Sequence, residues 1–212
     1  MTVKTDHIHW LGHDSIRIDA SIAIYIDPWE VSGPPADLIL ITHDHYDHCD
    51  ASTVKKLADD KTMIAADRDS VNKLRAEGLK AHFTVMEPGD EIEFKGVNIK
   101  AVPSYNLNKD FHPRAKNNLG FVLTYDGRSL YHAGDSDFIP EMKDIKAQVA
   151  LLPVSGTYVM TAEEAVQAAL AIRPEVAVPM HFGKIVGDEK MAAAFAEALA
   201  GLVKVEIKPV EK

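Results

Sequence analysis

The chain has a single cysteine, Cys49, so no intrachain disulfide can hold it together. It contains no apolar run approaching the roughly 20 residues that a membrane-crossing helix needs. Basic residues are in deficit: 23 lysines and arginines face 32 aspartates and glutamates, for a formal net charge of −9. That balance argues against nucleic acid as the main partner, because phosphate backbones are bound by basic surfaces; it still allows a small anion in a local basic pocket. Aromatics are sparse at 7%, but the apolar fraction of 46% is enough for a substantial core and excludes disorder. The opening residues, MTVKTDHIHWLGHD, show neither an uninterrupted apolar stretch nor a small-residue cleavage site. Together these absences point to a reducing, cytoplasmic setting, no membrane association and a small-molecule partner.

Histidine is what the chain concentrates. The segment ITHDHYDHCD, residues 41–50, holds three histidines and three aspartates directly after the apolar run Leu38-Ile39-Leu40-Ile41. Around it, HIHWL, SIRID and IAIYID read as short strands punctuated by Gly12, Pro28, Pro34 and Pro35. A helix is expected from about Asp50 to Asp59, with Asp50 or Ser52 as its N-cap. TMIAA reads as a strand and SVNKLRAEG as a helix closed by Gly78. Strands over 91–94 and 97–102 meet at Lys95-Gly96, and strands over 119–125 and 129–132 meet at Asp126-Gly127, a strong hairpin signal. The last third alternates: a strand over 149–153, a helix opened by the capping box Thr161-x-x-Glu164, a strand over 176–180, a helix over 189–200 and a strand over 202–207. Residues 104–118 form one long irregular polar segment, a length that is often functional. No linker interrupts the pattern. It suits an α+β fold in one domain over 1–212: an αββα sandwich of two mixed β-sheets packed face to face, with helices on the outer faces.

On an extended segment, residues i and i+2 point the same way, with Cα atoms roughly 6–7 Å apart. His43 and His45 can therefore converge on one cation at about 2.0–2.1 Å per Zn–N bond. Asp47 continues the same side, and His48, at the turn into the helix, must point toward a second centre. The spacing His-x-His-x-Asp-His thus serves two neighbouring metals rather than one, and a merely solvated histidine-rich loop is the poorer reading.

THDHYDH resembles the signature of the metallo-β-lactamase fold superfamily, whose sites draw further ligands from three later loops. The resemblance implies that His112 in NKDFHPRAKNN completes the first metal, that Asp135 in YHAGDSD bridges both, and that His181 in VPMHFG completes the second. It implies that Asp27 in YIDPW supports the histidine loop, since a ligating imidazole needs its other N–H held by an acceptor. WLGHDSIRI resembles the opening of a branch that includes the ascorbate-6-phosphate lactonase-like proteins and the N-acylphosphatidylethanolamine-hydrolysing phospholipase D. The implied fold is metallo-β-lactamase-like. The implied cofactors are two divalent cations, zinc by default with manganese or iron as options, because imidazole and carboxylate ligands do not discriminate by softness.

The remaining candidates divide between site and scaffold. His13 is a candidate to line the cavity, and His132 to face the core or support a ligand. His7 and His9 read as a solvated strand face. Lys109, Arg114 and Lys116, with Lys184 nearby, form a basic surround to His112 that could grip a phosphate or carboxylate. Ser155 to Tyr158 could line the cleft, and the hydroxyls of Tyr105 and Tyr158 are candidates for stabilising a developing oxyanion. Cys49 reads as a small buried residue.

The expected activity is hydrolysis of an ester, lactone or phosphodiester-type bond in a small, potentially anionic substrate by a hydroxide held between the two metals. Asp47 and Asp135 would be the catalytic carboxylates. No Gly-x-Ser-x-Gly nucleophile elbow competes with this. The rival readings are a metal-stabilised metabolite-binding module without turnover, a di-iron redox protein on the same scaffold, and an RNA-processing nuclease. The di-iron proteins carry a glutamate where His45 stands.

Overall fold

The computed structural model describes residues 3–211. Strands β1 (Ile8–Gly12), β2 (Ser15–Asp19), β3 (Ala23–Ile26), β4 (Leu38–Ile41), β5 (Met63–Ala66) and β6 (His82–Val85) lie side by side in that order in one sheet. The second sheet runs from β7 (Glu91–Phe94) and β8 (Val97–Pro103) through β9 (Leu119–Tyr125), β10 (Arg128–His132), β11 (Val149–Pro153) and β12 (Val176–Met180) to β13 (Lys204–Val205). Each sheet is mixed. Antiparallel hairpins fill one half, and the parallel runs β3 to β6 and β10 to β13 fill the other.

Residue alternation along β4 shows why two layers must pack on either face of its sheet. Leu38 and Leu40 join the core between the sheets, while Ile39 and Ile41 join a second cluster beneath the helices. All four are fully buried, as a strand covered on both faces requires. That second cluster is completed by Val54 and Leu57 of α1 (Ala51–Leu57) and by Val71 and Leu74 of α2 (Arg68–Ala76). On the other outer face, Ala165, Ala168 and Ile172 of α3 (Ala162–Ile172) and Phe195 of α4 (Glu189–Ala198) pack into the main core. The order is helices, sheet, sheet, helices.

Local chemistry sets the element ends. Asp50 caps α1 by accepting from the Ser52 N–H, and Thr161 and Glu164 form the reciprocal capping box of α3. The hairpins at Lys95-Gly96 and Asp126-Gly127 place both residues at positive φ, the conformation of a two-residue turn matching strand twist. The expected strand over 202–207 is reduced to Lys204–Val205, because it lies at the sheet edge and pairs only with β12. The helix expected to reach Asp59 stops at Leu57, where Ala58 is extended. Within the irregular segment, Arg114–Lys116 makes one turn of 3-10 helix.

Candidate metal centre

In both sheets, chain segments leaving the carboxyl ends of parallel strands gather at one edge of the sandwich. Asp27 follows β3, the 43–48 turn follows β4, Asp135 follows β10, Ser155 follows β11 and His181 follows β12. Ligand sites in α/β sheets form at such ends, where loops from several strands converge. His13 and Asp14 arrive from the β1–β2 turn, and His112 from the long β8–β9 connection.

The backbone here is held in conformations that L-residues rarely adopt. His13, Asp27 and His181 have φ of 52°, 45° and 60°. Each such residue costs on the order of 1 kcal/mol or more, and persists because the surrounding structure fixes it. The His13 carbonyl, for example, accepts hydrogen bonds from the His181 N–H at 3.1 Å and the Trp10 indole N–H at 2.8 Å. Gly134, at φ 60°, lets the Asp135 loop approach β9: a Cβ there would lie 2.8 Å from the Leu119 carbonyl oxygen.

The donor atoms fall into two groups joined by one carboxylate. His43 Nε2 lies 3.0 Å from His45 Nδ1, which lies 3.2 Å from His112 Nε2. In the second group, Asp135 Oδ1 lies 3.5 Å from His48 Nε2 and 3.3 Å from His181 Nε2. The other oxygen of Asp135, Oδ2, lies 3.3 Å from His112 Nε2. His48 Nε2, His181 Nε2 and Asp135 Oδ1 are buried and have no hydrogen-bond partner. Buried polar atoms left unpaired cost about 1–3 kcal/mol each, so three of them converging describe a place for a cation. The donors, imidazoles and a carboxylate, are of the kind that zinc, manganese or iron accept.

The far nitrogens fix which way the lone pairs face. His48 Nδ1 donates to Asp27 Oδ2 at 2.9 Å, and His112 Nδ1 donates to the Tyr158 carbonyl at 3.3 Å. Thr42 Oγ1 gives its proton to Asp27 Oδ2 at 2.6 Å, so it can only accept from His43 Nδ1 at 2.9 Å. Ser155 Oγ sits 2.8 Å from His181 Nδ1. These partners leave the Nε2 lone pairs of His43, His48 and His112 directed into the site, and Ser155 allows the same for His181. Asp27, fully buried, also accepts the Thr42 N–H at 2.8 Å.

The long β8–β9 segment is held to the site by a buried carboxylate that no sequence motif marks, Asp137. Asp137 accepts from Lys109 Nζ at 2.5 Å, the Leu107 N–H at 2.8 Å and Asn106 Nδ2 at 3.2 Å. Asn106 in turn brackets His112, accepting its N–H at 3.0 Å and donating its own to the His112 carbonyl at 2.8 Å.

Electrostatics follow from burial and neighbours. Burial, then the His48 imidazole, push His43 well below its ordinary pKa. Burial opposes ionisation of Asp135, but the His181 and His48 imidazoles overcome it and hold that carboxyl well below the usual range. Conversely, burial would lower His181, yet Asp135 and Asp14 raise it to about 9. His13 is depressed to about 4 by burial, and its neutral ring holds Asp47 Oδ2 at 3.1 Å. Burial would raise Asp47, but that hydrogen bond and His48 bring it down to about 2. A cation entering this cluster competes with protons on His48 and His181.

Residues 7–181 match the family model described as the Beta-lactamase superfamily domain. A UPF0173 metal-dependent hydrolase of Thermoplasma acidophilum is 34% identical, over 96% of this chain and 97% of its own. The chain belongs to the β-lactamase superfamily. Within it, a crystal structure of a metal-dependent hydrolase from Parabacteroides distasonis superposes with a TM-score of 0.84 at 33% identity, covering 96% of this chain and 93% of that one. Igni18, a metallo hydrolase of the archaeon Ignicoccus hospitalis, gives a TM-score of 0.78 at 26% identity, covering 97% and 95%. The two-sheet sandwich expected from the superfamily resemblance is the fold observed.

Several sequence readings need correction against this superfamily frame. The basic surround of His112 is paired with acids, and Lys109 is tied to a buried one. Besides Lys109 on Asp137, Arg114 pairs with Glu141 at 2.8 Å, Lys116 with Asp69 at 3.2 Å and Lys184 with Glu30 at 3.0 Å. The Tyr105 hydroxyl donates to Glu141 at 3.0 Å, so it is committed away from any substrate. Tyr158 contributes its carbonyl to His112, and its ring meets Phe111 edge-on at 4.6 Å. His7 and His9 are not a solvated face: His7 Nε2 lies 3.0 Å from the Tyr125 hydroxyl, and His9 sits between Asp19 and Glu211. His132, by contrast, faces the core as expected: it is fully buried, donating from Nε2 to the Asp14 carbonyl at 3.0 Å and accepting the Gly134 N–H at 3.2 Å. Cys49 is buried, its thiol pushed up to about 12 by desolvation. Asp14, which no sequence motif marks, also brings its carboxylate among the donors. No described helix is long and apolar enough to cross a membrane.

Proposed function

We propose that this protein is a dinuclear metal-dependent hydrolase that opens an ester, lactone or phosphodiester-type bond of a small substrate. The observation that carries the reading is the carboxylate of Asp135, whose two oxygens face two separate sets of imidazole nitrogens, with unpaired buried donors on the second. His43, His45 and His112 would hold one cation; His48, His181 and Asp47 would hold the other, with Asp135 between them. When bound, the cations supply Lewis acidity to the substrate's electrophile and bring a water's pKa toward about 7.

The chain's own groups support water, rather than a side chain, as the attacking species. Ser155 Oγ is committed to His181, and the Cys49 thiol is buried and stays protonated. Asp47 is ionised at neutral pH and partly open to solvent, so it can relay a proton outward while His13 keeps it oriented. Aromatic side chains stand around the site: Tyr46 and Phe111 are exposed, and Trp29 meets both His13 and Tyr46 edge-on with Lys184 Nζ over its ring. Since the nearby cations are already paired, these surfaces support a substrate with an apolar portion over one held by a phosphate grip.

The test is elemental analysis of the purified protein beside His43→Ala and Asp135→Ala. Two equivalents of metal in the parent and one or none in the variants are expected. Zinc- and manganese-loaded protein is then screened on lactones, thioesters, phosphodiesters and phosphomonoesters. Unchanged metal content in both variants would refute the metal assignment. Complete inactivity with tight binding of a metabolite would refute the hydrolase.

A further inference from the structure

The β1–β2 turn delivers a second acid into the site, directly after His13. Asp14 is fully buried, and neither of its carboxylate oxygens has a hydrogen-bond partner. A carboxylate with both oxygens out of water and unpaired is among the costliest things a fold can bury, and it persists where a cation or a proton answers it. One Asp14 oxygen, His48, Asp135 and His181 have donor atoms that all lie within 4.8 Å of one another. Three of those four residues also present buried atoms without partners: His48 Nε2, His181 Nε2 and Asp135 Oδ1. Asp47 is placed differently. Its Oδ2 is taken by His13 Nε2 at 3.1 Å and lies 3.9 Å from His48 Nε2.

Asp14 is also held in place as a ligand would be. Its carbonyl accepts from His132 Nε2, and its neighbour Ser15 donates from Oγ to the Asp27 carbonyl at 2.7 Å. The turn that carries it is thereby tied both to the strand that precedes Asp135 and to the residue that orients His48. His181 is bound to the same turn through the carbonyl of His13. The segments that supply Asp135 and His181, and the residue that orients His48, are therefore all tied to the Asp14 backbone or its immediate neighbours.

We infer that Asp14 is a direct ligand of the second cation, alongside His48, Asp135 and His181. This rests on the dinuclear reading above. A further carboxylate makes that position richer in oxygen and in negative charge than the first, which His43, His45 and His112 form with imidazoles. Hard, oxygen-preferring ions such as manganese would gain at the second position relative to the first.

The test titrates metal-free protein with Zn2+ against a chromophoric chelator, for the parent, Asp14→Asn, Asp14→Ala and Asp135→Ala. The parent should take up two equivalents. In both Asp14 variants the first equivalent should bind within threefold of the parent, and the second at least tenfold more weakly. The stabilisation of Asp14→Asn by Zn2+, read as the rise in its thermal melt on adding the metal, should be smaller than that of the parent. A second equivalent within threefold of the parent in the Asp14 variants overturns the inference alone. A parent that binds fewer than two equivalents, or an Asp135→Ala variant that keeps both, overturns the dinuclear reading and the inference with it. A crystal structure of the Zn2+-loaded parent needs no variant: an Asp14 oxygen about 2.0–2.2 Å from the ion is expected, and one beyond about 3 Å refutes the assignment.

Discussion

Asp27→Asn offers the sharpest perturbation of the site without touching any donor atom. The wild-type carboxylate only accepts, from the Thr42 N–H, the Thr42 hydroxyl and His48 Nδ1. An asparagine keeps one acceptor for the Thr42 N–H and turns an NH2 toward the other two. His48 Nδ1 must then become an acceptor, which moves its proton to Nε2, the atom that faces Asp135 and His181. The Thr42 hydroxyl, no longer donating to Asp27, is free to donate to His43 Nδ1, which moves that proton to His43 Nε2 as well. Two imidazoles that presented lone pairs now present N–H groups. Restoring the binding tautomers leaves a buried donor against a donor at each ring, about 1–3 kcal/mol apiece, or about 2–6 kcal/mol in all. At 1.4 kcal/mol per decade this is a loss of roughly 30-fold to 10⁴-fold in overall Zn2+ affinity. The chelator-competition titration reads it directly, with far-UV circular dichroism to establish that the variant folds. Thr42→Val, which leaves Asp27 on His48, should weaken chiefly the cation held by His43. If Asp27→Asn binds both equivalents within threefold of the parent, the tautomer argument is wrong.

Further expectations are independent of metal. Gly134→Ala should lower stability by at least about 1 kcal/mol, because the residue is at positive φ and its Cβ would press on the Leu119 carbonyl; for a chain of this size a thermal melt should fall by about 2–4 °C or more, and an unchanged melt would contradict the close approach. Burial raises the hydroxyl pKa of Tyr131 and Tyr125 well above the ordinary value of 10.0. Both forms are neutral below about pH 10; above it the unfolded chain loses protons that the folded chain keeps. Stability should therefore fall by up to about 1.4 kcal/mol per pH unit for each of these tyrosines. Urea unfolding at pH 9, 10 and 11 measures it, and a flat profile would deny their burial.

Much of the architecture was legible in one dimension. The capping box at Thr161, the Asp-Gly hairpin and the four consecutive apolar residues of β4 are local rules, each decided by a few neighbouring side chains. The spacing also separated His43 and His45 from His48, but the extended-segment argument fails in detail: residues 44–48 form a bend and turn, and Asp47 lies with His13 and His48 rather than on the side of His43 and His45. Other features depend on partners far along the chain. Lys109, Arg114, Lys116 and Lys184 form a basic group on paper, and only packing reveals that Asp137, Glu141, Asp69 and Glu30 lie against them. Asp14 looks like an ordinary turn residue until the fold carries it among His48, Asp135 and His181, with both carboxylate oxygens buried and without a hydrogen-bond partner. Composition and short-range pattern determined which elements form and where histidines crowd together. Which charges are spent, which are stranded and which converge was decided by the folding of two sheets onto each other, since burial and Coulomb interaction depend on distance in space rather than along the chain.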